Sequence, residues 1–375
     1  MSSDLIAWTG LSGALALGVT WILYPGAVFA LSLFRRTRPS VVPPGDRVSV
    51  ILATRDSERM IRRRVRDLLR TEYPAELLEI VVALDAKSEC SAEQLRESYS
   101  HPAVRICRGT GGGKADTLNT AAEVAGGSIL VFADSRQRFS PTTIPALVSA
   151  FADPRVGAAS GRLQLRARRA GGSAVDLYWR FERWLRYREG MIHSPVGVTG
   201  AVSAMRAGLW KPLPSGLILD DVYTPMRLVL DGHRIAYVWE ATAFETRRPS
   251  TVHEHRRKTR TLTGVLQLCA WLPGVLSPRK NPIFLQFVLH KLARLLTPYA
   301  VLAVLLWALA ATAMSLGWLT LPILATAGTV GLLAWLVRPG WMERVLSIAW
   351  EIVLTQVAVV RATVNGLRGR WEIWD

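Results

Sequence analysis

The chain has 375 residues, half of them hydrophobic, and a formal net charge of +17, so it is long enough for one large domain or two smaller ones. A chain that is both apolar and basic is typical of a membrane protein that faces anionic headgroups, and nucleic acid is the other common partner for such charge. Its 3 cysteines form no close-spaced motif, which argues against a disulfide framework or a zinc site and favours a reducing compartment.

The first predicted element is a membrane anchor within residues 1–38. No charged residue occurs from Leu5 to Phe34, and this stretch exceeds the roughly 20 residues that a helix needs to cross the hydrocarbon core. The flanking Asp4 favours an anchor over a cleaved signal peptide, whose flank is usually basic. Three arginines follow the stretch directly: Arg35, Arg36 and Arg38. By the positive-inside rule, the N-terminus then lies outside and the next domain is cytoplasmic.

Residues 47–261 are predicted to form one α/β domain, because short apolar β-rich runs alternate with helical segments. Four of these runs are predicted strands: 48–53, 78–84, 104–106 and 128–133. Strands separated by helices favour right-handed crossovers and a mostly parallel sheet. Such sheets bind ligands at the carboxyl ends of their strands. Asp85 and Asp134 stand at the ends of two of the strands, which makes them the first candidates for function.

Three places in this domain carry residues suited to chemistry. Asp134 could hold a divalent ion that neutralises a nucleotide diphosphate, although a strand-end aspartate is more often a helix or turn cap. The run from Gly111 to Gly113 followed by Lys114 could cradle a phosphate or could be a flexible turn. Asp220 and Asp221 could cap a helix, or could place one carboxylate in a cleft as a general base.

The C-terminal part is predicted to return to the membrane. Residues 262–296 are predicted interfacial helices, with helices that cover a soluble core as the alternative. Residues 297–337 lie in an uncharged stretch about twice as long as one crossing, which predicts two transmembrane helices joined by an outer hairpin. In residues 338–375, apolar positions recur at three- and four-residue steps among charges. This pattern predicts a C-terminal interfacial helix and tail, with a fourth crossing as the alternative.

Taken in order, these sites resemble membrane-bound family 2 glycosyltransferases, which are inverting enzymes with a GT-A catalytic domain, related to bacterial polysaccharide synthases. The resemblance covers about residues 48–267. It implies an α/β, Rossmann-like GT-A domain with a mostly parallel sheet, flanked by transmembrane and interfacial helices. The substrate-binding positions that match the family's motifs are Thr54, Asp56 and Glu58 in the first turn, Asp85 after the second strand, Lys114 and Asn119 near the diphosphate, and Thr199 and Gly200 in the acceptor-side loop.

The same resemblance implies the catalytic roles. Asp221 matches the catalytic base and Asp220 supports it. Asp134 matches the metal position of the family's Asp-x-Asp motif, whose second aspartate is here replaced by Arg136. Processive members carry Gln-x-x-Arg-Trp in the next motif. This chain lacks that Gln and Trp, and it instead has two candidate contacts to the diphosphate, Arg257 and Arg260.

The function implied is hexosyl transfer from a nucleoside-diphosphate sugar, with a UDP-sugar as the first expectation and Mg²⁺ or Mn²⁺ as the cofactor. The expected acceptor is lipid-linked or a polysaccharide, at the cytoplasmic face of the inner membrane. The expected protein is multi-pass and could join subunits of an export or synthase complex. The missing second aspartate motivates one alternative, a non-catalytic sugar-nucleotide sensor or scaffold. Nucleic-acid binding is not expected, because the arginines are spread and lack interleaved aromatic residues.

Overall fold

The computed structural model shows an α/β domain in the middle of the chain and long apolar helices on either side of it in sequence. It describes residues 3–34, 45–99, 101–111, 113–165, 174–245, 251–319, 321–322, 325–326, 328–329 and 340–371. The predicted second helix of the transmembrane pair therefore lies largely outside the described residues.

The strands are β1 Val48–Thr54, β2 Leu78–Leu84, β3 Val104–Arg108, β4 Ile129–Ala133, β5 Gln137–Phe139, β6 Val156–Leu165, β7 Val202–Arg206 and β8 Arg234–Glu245. The helices are α1 Ser3–Gly18, α2 Tyr24–Leu33, α3 Glu58–Leu68, α4 Ala92–Ser98, α5 Lys114–Val124, α6 Thr143–Ser149, α7 Ala174–Ile192, α8 Asp220–Leu230, α9 Thr251–Trp271, α10 Phe284–Phe287, α11 Thr297–Leu316 and the C-terminal helix Gly340–Leu367.

These strands form one sheet in the order β3-β2-β1-β4-β7-β6-β8-β5. The four strands that the sequence predicted pair in parallel, which confirms the α/β domain. Beyond β4 the sheet is mixed: β7 is antiparallel to both β4 and β6, β8 is parallel to β6, and β5 is antiparallel to β8. The expectation of a mostly parallel sheet is therefore correct for one half of the sheet, and the other half is mixed.

Helices cover both faces of the sheet, because the strands at its centre are apolar on both sides. Successive side chains of β1 point to opposite faces. Val50 and Leu52 enter a core that α3, α4 and α6 cover. Ile51 enters a second core, which is covered by α5, α8, α9 and α10. The second core matters for function because α5 and α8 begin at the carboxyl edge of the sheet.

The turn before β4 brings two backbone segments unusually close. A Cβ at Gly127 would lie 2.6 Å from the backbone nitrogen of Ser49, whereas a Cβ at Gly126 would lie 3.7 Å from its nearest neighbour, Glu79 Oε2. We expect Gly127→Ala to lower the free energy of unfolding by about 1–3 kcal/mol, as overpacking does. The matched control Gly126→Ala should change it by less than about 0.5 kcal/mol. Thermal unfolding in detergent compares the two variants, and equal midpoints would contradict the expectation.

Residues 262–296 contribute their inner faces to the second core. Val265 and Leu268 of α9 are buried there, together with Val275, Ile283 and Phe287. The inner faces of these helices therefore pack on the α/β domain. Contact of their outer faces with a membrane surface stays a prediction.

Two helical segments among the described residues are long and apolar enough to cross a membrane, judged by length and composition alone. They are Asp4–Leu33, with 30 residues, and Phe284–Leu316, with 33 residues. The second segment begins earlier than the predicted boundary at residue 297. The two segments pack side by side, since a Cβ at Gly10 would overlap the side chain of Trp307 and a Cβ at Gly13 would lie 2.8 Å from the Ala300 carbonyl oxygen. Small residues allow such close approach of apolar helices.

The C-terminal helix packs its small residues against α9. Ala358 and Ala362 are buried, and a Cβ at Gly366 would overlap the side chain of Leu266. Larger apolar residues of the same helix lie on its exposed side: Trp350, Val353, Val357, Val360 and Val364. This arrangement leaves an apolar stripe uncovered along the helix, as an interfacial helix requires.

Candidate active site

Two aspartates lie at the carboxyl edge of the sheet. Asp85 follows β2 and Asp134 follows β4, and these two strands flank β1. Asp85 is buried, and its carboxylate accepts a hydrogen bond from the backbone N–H of Lys87 at 2.9 Å and pairs with Arg55 at 3.0 Å. Burial alone would raise the pKa of Asp85, but these donors lower it below its ordinary value. Asp85 is therefore held as a fixed anion.

The turn after β1 is tied to the segment after β4. The backbone N–H of Asp56 donates to the Thr54 hydroxyl at 3.0 Å. The carboxylate of Asp56 accepts a hydrogen bond from Ser135 and lies 3.7 Å from the guanidinium of Arg136. Two of the three predicted nucleotide-side residues are thus at this edge. The third, Glu58, pairs with Arg62 in the first turn of α3, so its contact with a nucleotide stays a prediction.

Lys114 follows the glycine run in the chain, and its side chain contacts the start of α8. Gly113 has a φ of +87°, a conformation that favours glycine, and α5 begins at the next residue. The Lys114 Nζ lies 3.1 Å from Asp220 Oδ2. Burial alone would lower the pKa of Lys114, but the carboxylates of Asp220, Asp134 and Asp221 together raise it. One cation therefore faces three carboxylates from two distant parts of the chain.

The first turn of α5 also reaches Asp85. The hydroxyl of Thr117, three residues after Lys114, lies 3.4 Å from Asp85 Oδ2. Asp85, Asp134, Asp220 and Asp221 are thus arranged around the N-terminus of α5. The polarity of a helix N-terminus favours anions and so stabilises these carboxylates, whose own charge would repel a phosphate unless cations such as Lys114 balance it.

Asp221 lies in the first turn of α8 and is partly buried. Burial and the neighbouring Asp220 raise the pKa of its carboxyl group, while Lys114 and Arg186 oppose the rise. A carboxylate whose pKa is raised towards the working pH is a better general base. Asp221 also lines a cavity with Asp220, Gly200, Phe132 and Trp210, which gives it access to a bound molecule.

The acceptor-side loop, residues 197–200, lies against Asp221. The backbone N–H of Val198 donates to the Asp221 carbonyl oxygen at 2.8 Å. A Cβ at Gly200 would lie 3.4 Å from Asp221 Oδ2. The hydroxyl of Thr199 donates to the carbonyl oxygen of Gly161 at 2.9 Å, which fixes the loop to β6. Thr199 and Gly200 therefore lie next to Asp221, and their contact with an acceptor stays a prediction.

Residues 43–264 match a protein-family model described as "Glycosyltransferase like family 2", and this range is more than half of the chain. The chain belongs to glycosyltransferase family 2. The predicted family and the predicted enzyme class are thereby confirmed. Among curated protein sequences, none matches this glycosyltransferase.

The family match and the first of three similar solved structures show that this glycosyltransferase has the GT-A fold. A mannosyltransferase from Pyrobaculum calidifontis, in complex with GDP-Man and Mn²⁺, matches it with a TM-score of 0.73 and 20% identity over 97% of this chain and 99% of that chain. TarS residues 1–349 from S. aureus match with a TM-score of 0.45 and 18% identity over 64% and 70% of the two chains. GalNAc-T7 with UDP, GalNAc and Mn²⁺ matches with a TM-score of 0.42 and 15% identity over 54% and 44%.

Both atoms of the Asn119 amide in this glycosyltransferase are bonded to the protein backbone. Its amide nitrogen donates to the Leu213 carbonyl oxygen at 2.9 Å, and its amide oxygen accepts from the Leu213 backbone N–H at 2.8 Å. The side chain thus ties α5 to the loop before α8. The reciprocal pair of bonds fixes the amide on the protein backbone, and the predicted contact of Asn119 with the diphosphate stays a prediction.

The two predicted arginine contacts lie on α9, next to the segment that leads into α8. Gly264 of α9 contacts Leu219, since a Cβ at Gly264 would lie 2.5 Å from the Leu219 Cγ. Arg260 lies one helical turn before Gly264 and therefore on the same face of α9. The guanidinium of Arg257 lies 5.1 Å from the centre of the Trp179 ring. Contact of Arg257 and Arg260 with a diphosphate stays a prediction.

The residues at Asp134 fit a divalent ion that takes most of its ligands from elsewhere. Among the described residues, no three His, Cys, Asp or Glu side chains are grouped as a metal cage, and Arg136 occupies the position of the usual second aspartate. Mg²⁺ is commonly held by one or two carboxylates together with substrate phosphates and water. The hard oxygen donors of Asp134 suit that kind of binding.

Proposed function

We propose that this glycosyltransferase moves a hexosyl group from a nucleoside-diphosphate sugar to an acceptor hydroxyl, with inversion, at the cytoplasmic face of the inner membrane. The observation that carries the proposal is the convergence of Asp134, Asp220 and Asp221 on Lys114. This convergence supports a site in which Lys114 binds the diphosphate and Asp221 acts as the base. A UDP-sugar is the first donor to test, and GDP-Man, which is bound by the Pyrobaculum protein, is the second.

In the proposed reaction, Asp221 accepts the proton of the acceptor hydroxyl while that oxygen attacks the anomeric carbon. The bond between the anomeric carbon and the diphosphate oxygen breaks on the opposite face, so one displacement inverts the configuration. Lys114 stabilises the negative charge that develops on the departing diphosphate. Asp220 supports the site by holding Lys114 at 3.1 Å. Asp85 and Asp56 lie on the side of the site where the nucleoside is expected.

Mg²⁺ or Mn²⁺ would be held by Asp134 and would supply further neutralisation of the diphosphate. With a single carboxylate from the described part of the protein, binding of the ion should depend on the nucleotide. Arg136 pairs with Asp56, so it reinforces the nucleotide side of the site in place of a second metal ligand.

A membrane location is supported by three features of different kinds. Two helical segments have the length and apolarity of membrane spans, the C-terminal helix carries an exposed apolar stripe, and the chain has a net charge of +17. We infer a multi-pass protein whose basic surface faces anionic headgroups. A lipid-linked or polysaccharide acceptor, and partner subunits of an export or synthase complex, fit that location.

Membranes that contain the full chain test this function. Radiolabelled UDP-, GDP- and TDP-sugars are added with and without Mn²⁺, and both the label in lipid or glycan and the free nucleoside diphosphate are measured. We expect one donor to give ion-dependent transfer, with one nucleoside diphosphate released for each sugar transferred. Membranes with Asp134→Ala should lose the dependence on the ion together with most of the transfer. Nucleotide binding without release or transfer would refute the proposal.

A further inference from the structure

A residue outside the sequence motifs holds the acceptor-side loop. Arg186 lies in the middle of α7, and its guanidinium donates to the Gly197 carbonyl oxygen at 3.0 Å and to the Thr199 hydroxyl at 3.4 Å. A guanidinium that binds two points at once orients them more firmly than a single donor does. Arg186 therefore fixes the two ends of the three-residue segment that begins at Gly197.

The held segment is the part of the protein that lies on the candidate base. Gly197 has a φ of +89°, and a Cβ there would lie 3.0 Å from the Asp221 carbonyl oxygen. Val198 donates to the same oxygen at 2.8 Å. The loop thus fits against Asp221 without space for a side chain at Gly197. Any shift of the loop would change the approach to the Asp221 carboxylate.

The helix that carries Arg186 is itself fixed by buried polar contacts. Glu182 and Glu189 lie on the same face of α7 as Arg186, one turn before it and one turn after it. Their carboxylates contact His290 at 2.9 Å and 2.6 Å. Glu189 also accepts a hydrogen bond from Tyr24 of α2. Side chains whose supporting helix is locked in this way hold a site at a defined geometry.

We propose that Arg186 is a positioning residue for sugar transfer, which holds the acceptor-side loop against Asp221 and supplies a positive charge to that carboxylate. The proposal rests on the proposed base role of Asp221. The charged groups that face Asp221 are Asp220 on its own helix, Lys114 of α5, Arg186 of α7 and Lys291 of the segment after α10. Burial and Asp220 raise the pKa of Asp221, and the three cations lower it, so removal of Arg186 raises it further.

The test compares three variants in membranes, with UDP-glucose or GDP-mannose as the probe, whichever the wild type turns over. Arg186→Met should transfer sugar about 10–100-fold more slowly near neutral pH, a loss typical of a displaced catalytic constellation. The acid limb of its pH–rate profile should move to higher pH by about one unit. Arg186→Lys keeps the positive charge but cannot bind two points at once as the guanidinium does. Its acid limb should therefore stay near the wild-type position, and its rate should fall less than that of Arg186→Met. Nucleotide binding should not change in either variant.

Arg183→Met is the matched control, because Arg183 lies on the same helix and donates to the Leu163 carbonyl oxygen at 3.3 Å. It should keep the wild-type rate and profile. A wild-type acid limb in Arg186→Met would overturn the proposal even if its rate fell, since a merely structural role would lower the rate alone. If Arg186→Met fails to accumulate in membranes, a wild-type rate in Arg186→Lys would overturn it. Asp221→Asn assayed in parallel separates the two hypotheses: a wild-type rate there refutes the base assignment itself.

Discussion

Asp221→Asn is expected to lower the rate of sugar transfer by about 10²–10⁴-fold, which is the usual contribution of a general base. The amide has the shape of the carboxylate but cannot accept the proton of the acceptor hydroxyl. Nucleotide binding should survive, because the pair between Lys114 and Asp220 at 3.1 Å does not involve Asp221. Initial rates of transfer from a labelled donor, together with nucleotide titration, measure the two effects separately.

Asp231→Asn is the matched control, since Asp231 lies at the other end of α8 and makes an exposed pair with Lys211 at 2.9 Å. It should transfer sugar at the wild-type rate. The wild-type rate itself should fall as the pH drops through the pKa of Asp221, because protonation removes the base. As burial and Asp220 raise that pKa, the acid limb should lie above the ordinary aspartate value of about 4. Wild-type transfer by Asp221→Asn would exclude Asp221 as the base.

Lys114→Met is expected to lower kcat by about 10²–10³-fold, the loss typical of removing one group that stabilises developing charge. It should also raise the KM for the nucleotide sugar. Two causes act together. The departing diphosphate loses a cation, and Asp134, Asp220 and Asp221 lose the charge that they share. The pKa of Asp221 should rise as well, because Lys114 lowers it in the wild type.

Lys211→Met tests whether the loss of any lysine–aspartate pair would have the same effect. Lys211 and Asp231 form such a pair at the surface, with 60% and 42% of their side chains exposed, and exposed pairs contribute only about 0–1 kcal/mol to stability. Steady-state kinetics on both variants should therefore show a large effect for Lys114 alone. A similar, small effect in both would mean that Lys114 does not contact the diphosphate.

Half of the sheet could be predicted from the sequence, and the reason is the burial of its strands. β1, β2 and β4 are covered by helices on both faces and are continuous apolar runs, which a sequence shows directly. β6 is different: its residues include Gly157, Ser160 and Gly161, which have low strand propensity. It forms a strand because it makes backbone hydrogen bonds with its neighbours β7 and β8. Pairing with distant segments cannot be recognised from the sequence of one segment alone.

The candidate site divides in the same way. Asp85, Asp134, Lys114 and the Asp220–Asp221 pair follow strands or begin helices, so their positions in the chain predicted their meeting at one edge. Asn119 lies in a matching motif, yet its role depends on the loop around Leu213, which is 94 residues away in sequence. Nothing in the sequence distinguishes Arg186 from the other arginines of α7. Its contact with the acceptor-side loop exists only once α7 is packed in place.

The close packing of α1 against α11 joins two apolar helices that are far apart in the sequence. Trp307 fills the space that a side chain at Gly10 would need, and Tyr24 donates a hydrogen bond to the buried Glu189. A fragment that begins after residue 38 would therefore expose the indole of Trp307 and remove one hydrogen bond from the Glu189 carboxylate, which would keep its contact with His290. Truncation intended to yield a water-soluble enzyme therefore has to treat α1 and α11 as a unit.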